Sequence, residues 1–107
     1  MVRSMTSLKA EYKKITPKSK AQWELGKPVM PGGLIKGAYW SDPYPIYIER
    51  AEGCYLWDLD GRRYLDFENH HTATILGHSH PDVVESIQNT LNLGIAHGGP
   101  TKLEAEV

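Results

Sequence analysis

The sequence holds 107 residues with 12 basic and 13 acidic side chains, a formal net charge of -1, and 40% hydrophobic residues. That balance excludes a strong electrostatic pull toward nucleic acid or an anionic membrane, and no apolar run approaches the roughly 20 residues of a membrane-spanning helix. A lone cysteine, Cys54, excludes an internal disulfide framework and fits a reducing, cytoplasmic setting.

Met1 to Thr16 is polar, with Leu8, Tyr12 and Ile15 at helical spacing, which fits a short helix or a frayed terminus. It lacks the apolar centre of a signal peptide. The basic series Arg3, Lys9, Lys13, Lys14, Lys18 and Lys20, interrupted by Glu11, reads as a solvated face rather than a transit peptide. A second helix is predicted to start between Thr16 and Ser19. Either Pro17 takes the first helical position or Ser19 and Gln22 form a capping box. Met30-Pro31-Gly32-Gly33 marks a turn. From Leu34 to Pro45, Gly37, Pro43 and Pro45 argue against a strand, leaving an irregular loop anchored by Tyr39, Trp40 and Tyr44.

Residues 46–67 read as a three-stranded antiparallel meander. Ile46 and Ile48 alternate with Tyr47 and Glu49, and Glu52-Gly53 turns the chain. Cys54 to Asp58 forms a second strand, in which Cys54 is expected to be a buried, inert thiol. Asp60-Gly61 is a hairpin signal before Tyr64 to Phe67. After a connecting segment, Pro81 and Asp82 open a helix over residues 81–93, with an apolar face of Val83, Val84, Ile87 and Leu91. Gly94 suits its C-terminal cap. Thr101 with Glu104 is a capping box for a last helix that has only one turn before Val107, a pattern expected of a truncated element. The whole reads as an α+β segment: a polar extension over 1–18, a folded part over 19–93, and a connection over 94–107.

No complete catalytic constellation stands out. His70-His71 and His78-x-His80 invite a metal reading, but no Cys or carboxylate cluster completes a ligand set. Gly94 to Gly99 matches neither the dinucleotide fingerprint nor the P-loop order and reads as a cap with a flexible connection. Asp58 and Asp60 flank the hairpin turn, where Asp is common for turn reasons, and with Asp66 they form no assignable acid-base pair.

The run Gly53-Cys54-Tyr55-Leu56-Trp57-Asp58-Leu59-Asp60-Gly61-Arg62-Arg63-Tyr64-Leu65-Asp66-Phe67 resembles the G-x-x-x-x-D-x-D-G-x-x-Y-x-D-[FY] signature of class III pyridoxal-phosphate aminotransferases. Gly77-His78-Ser79-His80-Pro81 is similar to the family's G-H-x-H-P. Pro31-Gly32-Gly33 upstream, and Gly98-Gly99-Pro100 with Leu103-Glu104 downstream, resemble the glutamate-1-semialdehyde aminomutase branch. The resemblance runs from Trp23 to Val107.

It implies the N-terminal part of the small domain of a fold-type I transferase that works as a homodimer with pyridoxal 5'-phosphate. The reaction implied is amino transfer from an amino acid or amine substrate through a cofactor Schiff base. The family's Schiff-base lysine, its aspartate facing the pyridine nitrogen and its phosphate cup match nothing in this sequence. No catalytic, cofactor-binding or metal-binding residue is therefore assigned, and the chain alone is expected to be inactive, needing the remainder of the enzyme. The resemblance does imply substrate-binding residues. Lys36 falls near the place where relatives carry an arginine or polar group for the substrate carboxylate. Tyr39 belongs to the same loop, and His71 aligns with a pocket Trp or Tyr. The loop from Gly33 to Pro45 is shorter than in the aminomutase and closer in length to β-amino-acid aminotransferases. A rival reading is a non-catalytic, stand-alone interaction module derived from the small domain.

Overall fold

The computed structural model describes residues 4–95 and 98–105. Helix α1 spans Met5–Ile15, its start capped by the Ser4 side chain, which accepts from the Ser7 N–H at 3.2 Å. Lys13 and Lys14 lie in its last turn, where the helix dipole favours cations. Helix α2 follows at once as Pro17–Gly26. Pro17 takes the first position because its missing N–H would have had no helical partner there.

The Ser19–Gln22 capping box does not form. Ser19 sits inside α2, fully buried, and its hydroxyl accepts from the Tyr47 N–H at 3.1 Å. The free amides at the start of α2 are met from far along the chain instead. Asp60 accepts from the N–H groups of Lys18 at 3.1 Å and Ser19 at 3.3 Å. The neighbouring Arg62 donates from Nε to the Ile15 carbonyl at 2.9 Å.

Residues 31–45 form a loop with two 3-10 turns, Pro31–Gly33 and Gly37–Tyr39. Tyr44 ends it as the buried centre of the molecule, 1% exposed. Its hydroxyl lies 3.0 Å from the Thr16 hydroxyl, Tyr12 donates to its carbonyl at 2.7 Å, and Trp23 stacks on its ring at 6.0 Å between centroids. The core is thus small and partly polar: Thr16, Ser19 and Asp58 are as buried as Tyr44.

Strands β1 (Ile48–Glu52), β2 (Tyr55–Asp58) and β3 (Arg63–Leu65) form an antiparallel sheet in the order β1-β2-β3. Arg50 pairs with Trp57, which pairs with Arg63. Both arginines lie over aromatic rings, Arg50 over Trp57 at 3.5 Å and Arg63 over Tyr55 at 4.5 Å. An irregularity between Ile48 and Arg50 shifts the register of β1. Glu52 pairs with Tyr55, so the hairpin closes through Gly53-Cys54, with Gly53 at φ 55°. This corrects the expectation for Cys54: it is a turn residue, exposed, rather than a buried strand residue.

In the β2–β3 turn, buried Asp58 accepts from the N–H groups of Asp60 at 2.9 Å and Arg62 at 2.8 Å, and from the Tyr64 hydroxyl at 2.7 Å. Burial, and then the Asp58 carboxylate, push the Tyr64 phenol up, so it remains a donor.

Asn69–Thr72 forms a single hydrogen-bonded turn of unusual hand. Its four residues have φ of 52°, 51°, 55° and 70°. A left-handed turn of non-glycine residues costs about 1–2 kcal/mol per residue through crowding of Cβ against the carbonyl. Helix α3 then runs over Pro81–Leu91, and Gly94 takes φ 104° beyond its end. Among the described residues nothing buries the apolar face of α3: Val83 is 42%, Ile87 54% and Leu91 49% exposed. With Leu93, Leu103 and other residues this face lines an open cavity of about 440 Å³. The expected capping box is present in part, since the Glu104 carboxylate accepts from the Thr101 N–H at 2.8 Å before a 3-10 turn at Lys102–Ala105. No helix among the described residues is long and apolar enough to cross a membrane.

Candidate functional site

The loop after α2 is steered by aromatic anchors. Trp23 donates from Nε1 to the Gly32 carbonyl at 3.0 Å, and Tyr47 donates to the Gly33 carbonyl at 3.0 Å. These bonds fix the Pro-Gly-Gly turn and set the direction of the residues that follow. Tyr39 then lines two adjoining cavities, of about 180 and 350 Å³, together with Leu34 and Tyr47.

Lys36 leaves this loop toward the left-handed turn at 69–72. Its Nζ lies 2.9 Å from His71 Nε2 and 5.3 Å from the centroid of the Tyr39 ring. The three residues singled out from the sequence therefore meet, although 35 positions separate Lys36 from His71. On its other side, His71 Nδ1 lies 2.7 Å from Glu68 Oε1, and the same oxygen accepts from the His71 N–H at 2.9 Å. Glu68 accepts only, so Nδ1 carries the proton toward it. Nε2 is then left to accept from the Lys36 ammonium. The result is a chain of contacts, Lys36 to His71 to Glu68, all three exposed at the surface.

Beneath the turn lies a second pair. Asp66 Oδ1 accepts from the N–H groups of Glu68 at 2.9 Å and Asn69 at 3.0 Å, while Oδ2 lies 2.6 Å from His78 Nε2. The Asn69 amide, and then the His78 ring, hold the Asp66 carboxyl below the usual carboxylate range. The backbone of His78 is itself anchored by reciprocal bonds with Gly53, at 2.8 and 2.9 Å.

Local reading of the sequence missed Glu68, Asp66 and His78 as members of this group. The signal was present in the D-[FY] and G-H-x-H-P motifs, but their separation does not reveal that the two side chains touch. His78, considered as a ligand-pair residue, spends its Nε2 on Asp66. Among the described residues no group of three or more His, Cys, Asp or Glu is set to hold a metal ion. The Gly94 to Gly99 stretch includes Ala96 and His97, which lie outside the described residues.

Known proteins supply the context for this geometry. The family model for aminotransferase class-III matches residues 37–104. Among curated proteins, the glutamate-1-semialdehyde 2,1-aminomutase of Desulfotalea psychrophila is 40% identical over 93 residues, covering 84% of this chain and 22% of its own length. Among solved structures, a β-phenylalanine aminotransferase from Variovorax paradoxus superimposes with a TM-score of 0.85 at 34% identity, over 91% of this chain and 23% of that one. A transaminase with PLP bound superimposes with a TM-score of 0.82 at 41% identity, over 86% of this chain and 22% of that one. The chain thus spans about a fifth of the length of the relatives it matches.

Proposed function

The chain belongs to the class III aminotransferase family, and we propose that it is the N-terminal segment of a pyridoxal-phosphate-dependent aminotransferase or aminomutase, forming the substrate side of the active site. The observation that carries this reading is the meeting of Lys36, Tyr39 and His71, with Lys36 Nζ 2.9 Å from His71 Nε2.

Pyridoxal phosphate would supply the electron sink for moving an amino group. The residues of this chain do not fit its site. Every described lysine except Lys9 is exposed, and Lys9 is half-buried and paired with Asp42. No described helix opens with a Gly/Ser/Thr phosphate cup. The chain's part lies in recognition.

An ammonium has three N–H donors. His71 takes one from Lys36, leaving two for a carboxylate of the amino donor. Tyr39 gives that end of the pocket an aromatic wall and lies within cation–π range of the ammonium. A lysine offers one compact charge where an arginine would offer a bidentate fork. That favours an amino acid whose carboxylate can be met from one side. In the complete enzyme, a homodimer working in the cytoplasm, the apolar face of α3 would lie against the remainder of the chain.

The test is an amino-transfer assay of the full-length enzyme that carries this segment, with and without pyridoxal phosphate. Cofactor-dependent transfer or intramolecular migration of an amino group is expected. Failure of a cofactor-loaded enzyme to process any α- or β-amino acid, semialdehyde or amine would overturn the reading.

A further inference from the structure

The left-handed turn at 69–72 presents His71 to Lys36, yet its own residues favour a different backbone. Asn69, His70, His71 and Thr72 all hold positive φ, and none is glycine. Such a turn persists only where its surroundings over-determine it. Its outer bonds are few and long, such as Thr72 N–H to the Glu68 carbonyl at 3.3 Å.

The firm restraint is at its entry. Asp66 Oδ1 takes the amides of Glu68 and Asn69, fixing the residue before the turn and the first residue within it. Asp66 is in turn held by His78 at 2.6 Å, and the two side chains are 7% and 16% exposed. His78 cannot drift, because its backbone is bonded both ways to Gly53 at the β1–β2 hairpin. The restraint passes from the sheet through His78 and Asp66 to Glu68, then to His71 and Lys36.

We infer that Asp66 and His78 are positioning residues for the substrate-carboxylate end of the site, holding the left-handed turn so that Glu68 and His71 aim the Lys36 ammonium. This rests on the substrate-side reading of Lys36 given above. Neither residue touches substrate. Their removal lets the turn relax to ordinary backbone, which withdraws His71 and frees Lys36 to sample rotamers that miss the carboxylate.

The experiment uses the full-length holoenzyme with Asp66→Ala, Asp66→Asn, His78→Ala and His78→Gln. KM and kcat are measured for a β-amino acid donor and for an amine donor lacking the carboxylate, and hydrogen exchange is followed over residues 66–78. Asp66→Ala and His78→Ala are expected to raise KM for the amino acid about tenfold, with kcat and the amine's KM within about twofold. The Glu68 and Asn69 amides should exchange faster in Asp66→Ala. Asp66→Asn, which keeps an oxygen for those amides, should recover most of the affinity. If an alanine variant gives no holoenzyme, a rise in the amino acid's KM alone in Asp66→Asn or His78→Gln supports the role. Equal loss for both donors, or no loss in any variant, overturns it, as does unchanged exchange in Asp66→Ala. Lys36→Ala in parallel separates the failures. No KM change there sinks the substrate-side reading itself, whereas a change there and none with Asp66 or His78 sinks the positioning role alone.

Discussion

Replacing Lys36 with alanine removes one charge and one link of the Lys36–His71–Glu68 chain, while Tyr39 and the backbone of the loop remain. In the full-length enzyme, the lost contact is a charge-assisted hydrogen bond to a substrate carboxylate, worth about 1.5–3 kcal/mol where water is excluded. Lys36 is exposed in this chain, and exposed ion pairs contribute only about 0.2–1 kcal/mol. The lower end of the buried range is therefore the fair expectation, roughly a tenfold rise in KM. His71 keeps its bond to Glu68 in the variant, so the left-handed turn should survive and kcat should change little. Steady-state kinetics with several amino donors, beside a pyridoxal phosphate titration, make the assay. A KM within about twofold of wild type for every carboxylate-bearing donor would refute the reasoning and make Lys36 an ordinary surface lysine. Weakened cofactor binding instead would place the loop on the other side of the site.

Three further outcomes are expected. The isolated 107-residue chain should show no cooperative thermal transition and should tend to aggregate, because Ile35 is 93%, Phe67 90% and Ile75 84% exposed and Tyr44 is the buried hydrophobic side chain among the described residues; a sharp transition of a soluble monomer would contradict this. Gly77→Ala should lower the melting temperature of the full-length enzyme by an amount equivalent to at least about 1 kcal/mol, since Gly77 holds φ 82° and an added Cβ would sit 2.9 Å from the Gly53 carbonyl oxygen that His78 uses; an unchanged melting temperature would show that the hairpin anchor yields freely. Asp66 has its carboxyl lowered in the folded state, so its stabilisation is present above the unfolded value of about 3.9 and is lost as pH falls through the lower folded value. The melting-temperature gap between wild type and Asp66→Asn should therefore be fully open at neutral pH and close at acid pH, and a gap that widens on acidification would have the wrong sign.

The meander and α3 were legible because their signals are local. Alternation around Ile48, the Asp60-Gly61 turn and Pro81 at a helix start each act within a few residues. Cys54 was misplaced because a hairpin that closes one residue later turns a strand position into a turn position. Asp60 capping α2 and Asp66 meeting His78 were illegible in a stronger sense: each links segments that only the fold brings together, and an Asp beside a turn already has a sufficient local explanation. The left-handed turn at 69–72 had no signal at all, since only Asn69 among its residues tolerates that backbone readily. Lys36 and His71 were singled out through the family resemblance and the aromatic loop, and their contact across 35 positions is a feature of the fold.

The central claim is that this segment faces the substrate and not the cofactor. It is tested most directly by acetylating the full-length enzyme with a lysine-modifying reagent and following Lys36 by mass spectrometry in three states: cofactor-free, loaded with pyridoxal phosphate, and loaded together with a saturating, unreactive β-amino acid analogue. The account predicts that Lys36 reacts equally in the first two states and is protected in the third, because the carboxylate of the analogue occupies its free donors. Protection by pyridoxal phosphate alone, or none by the analogue, would contradict it.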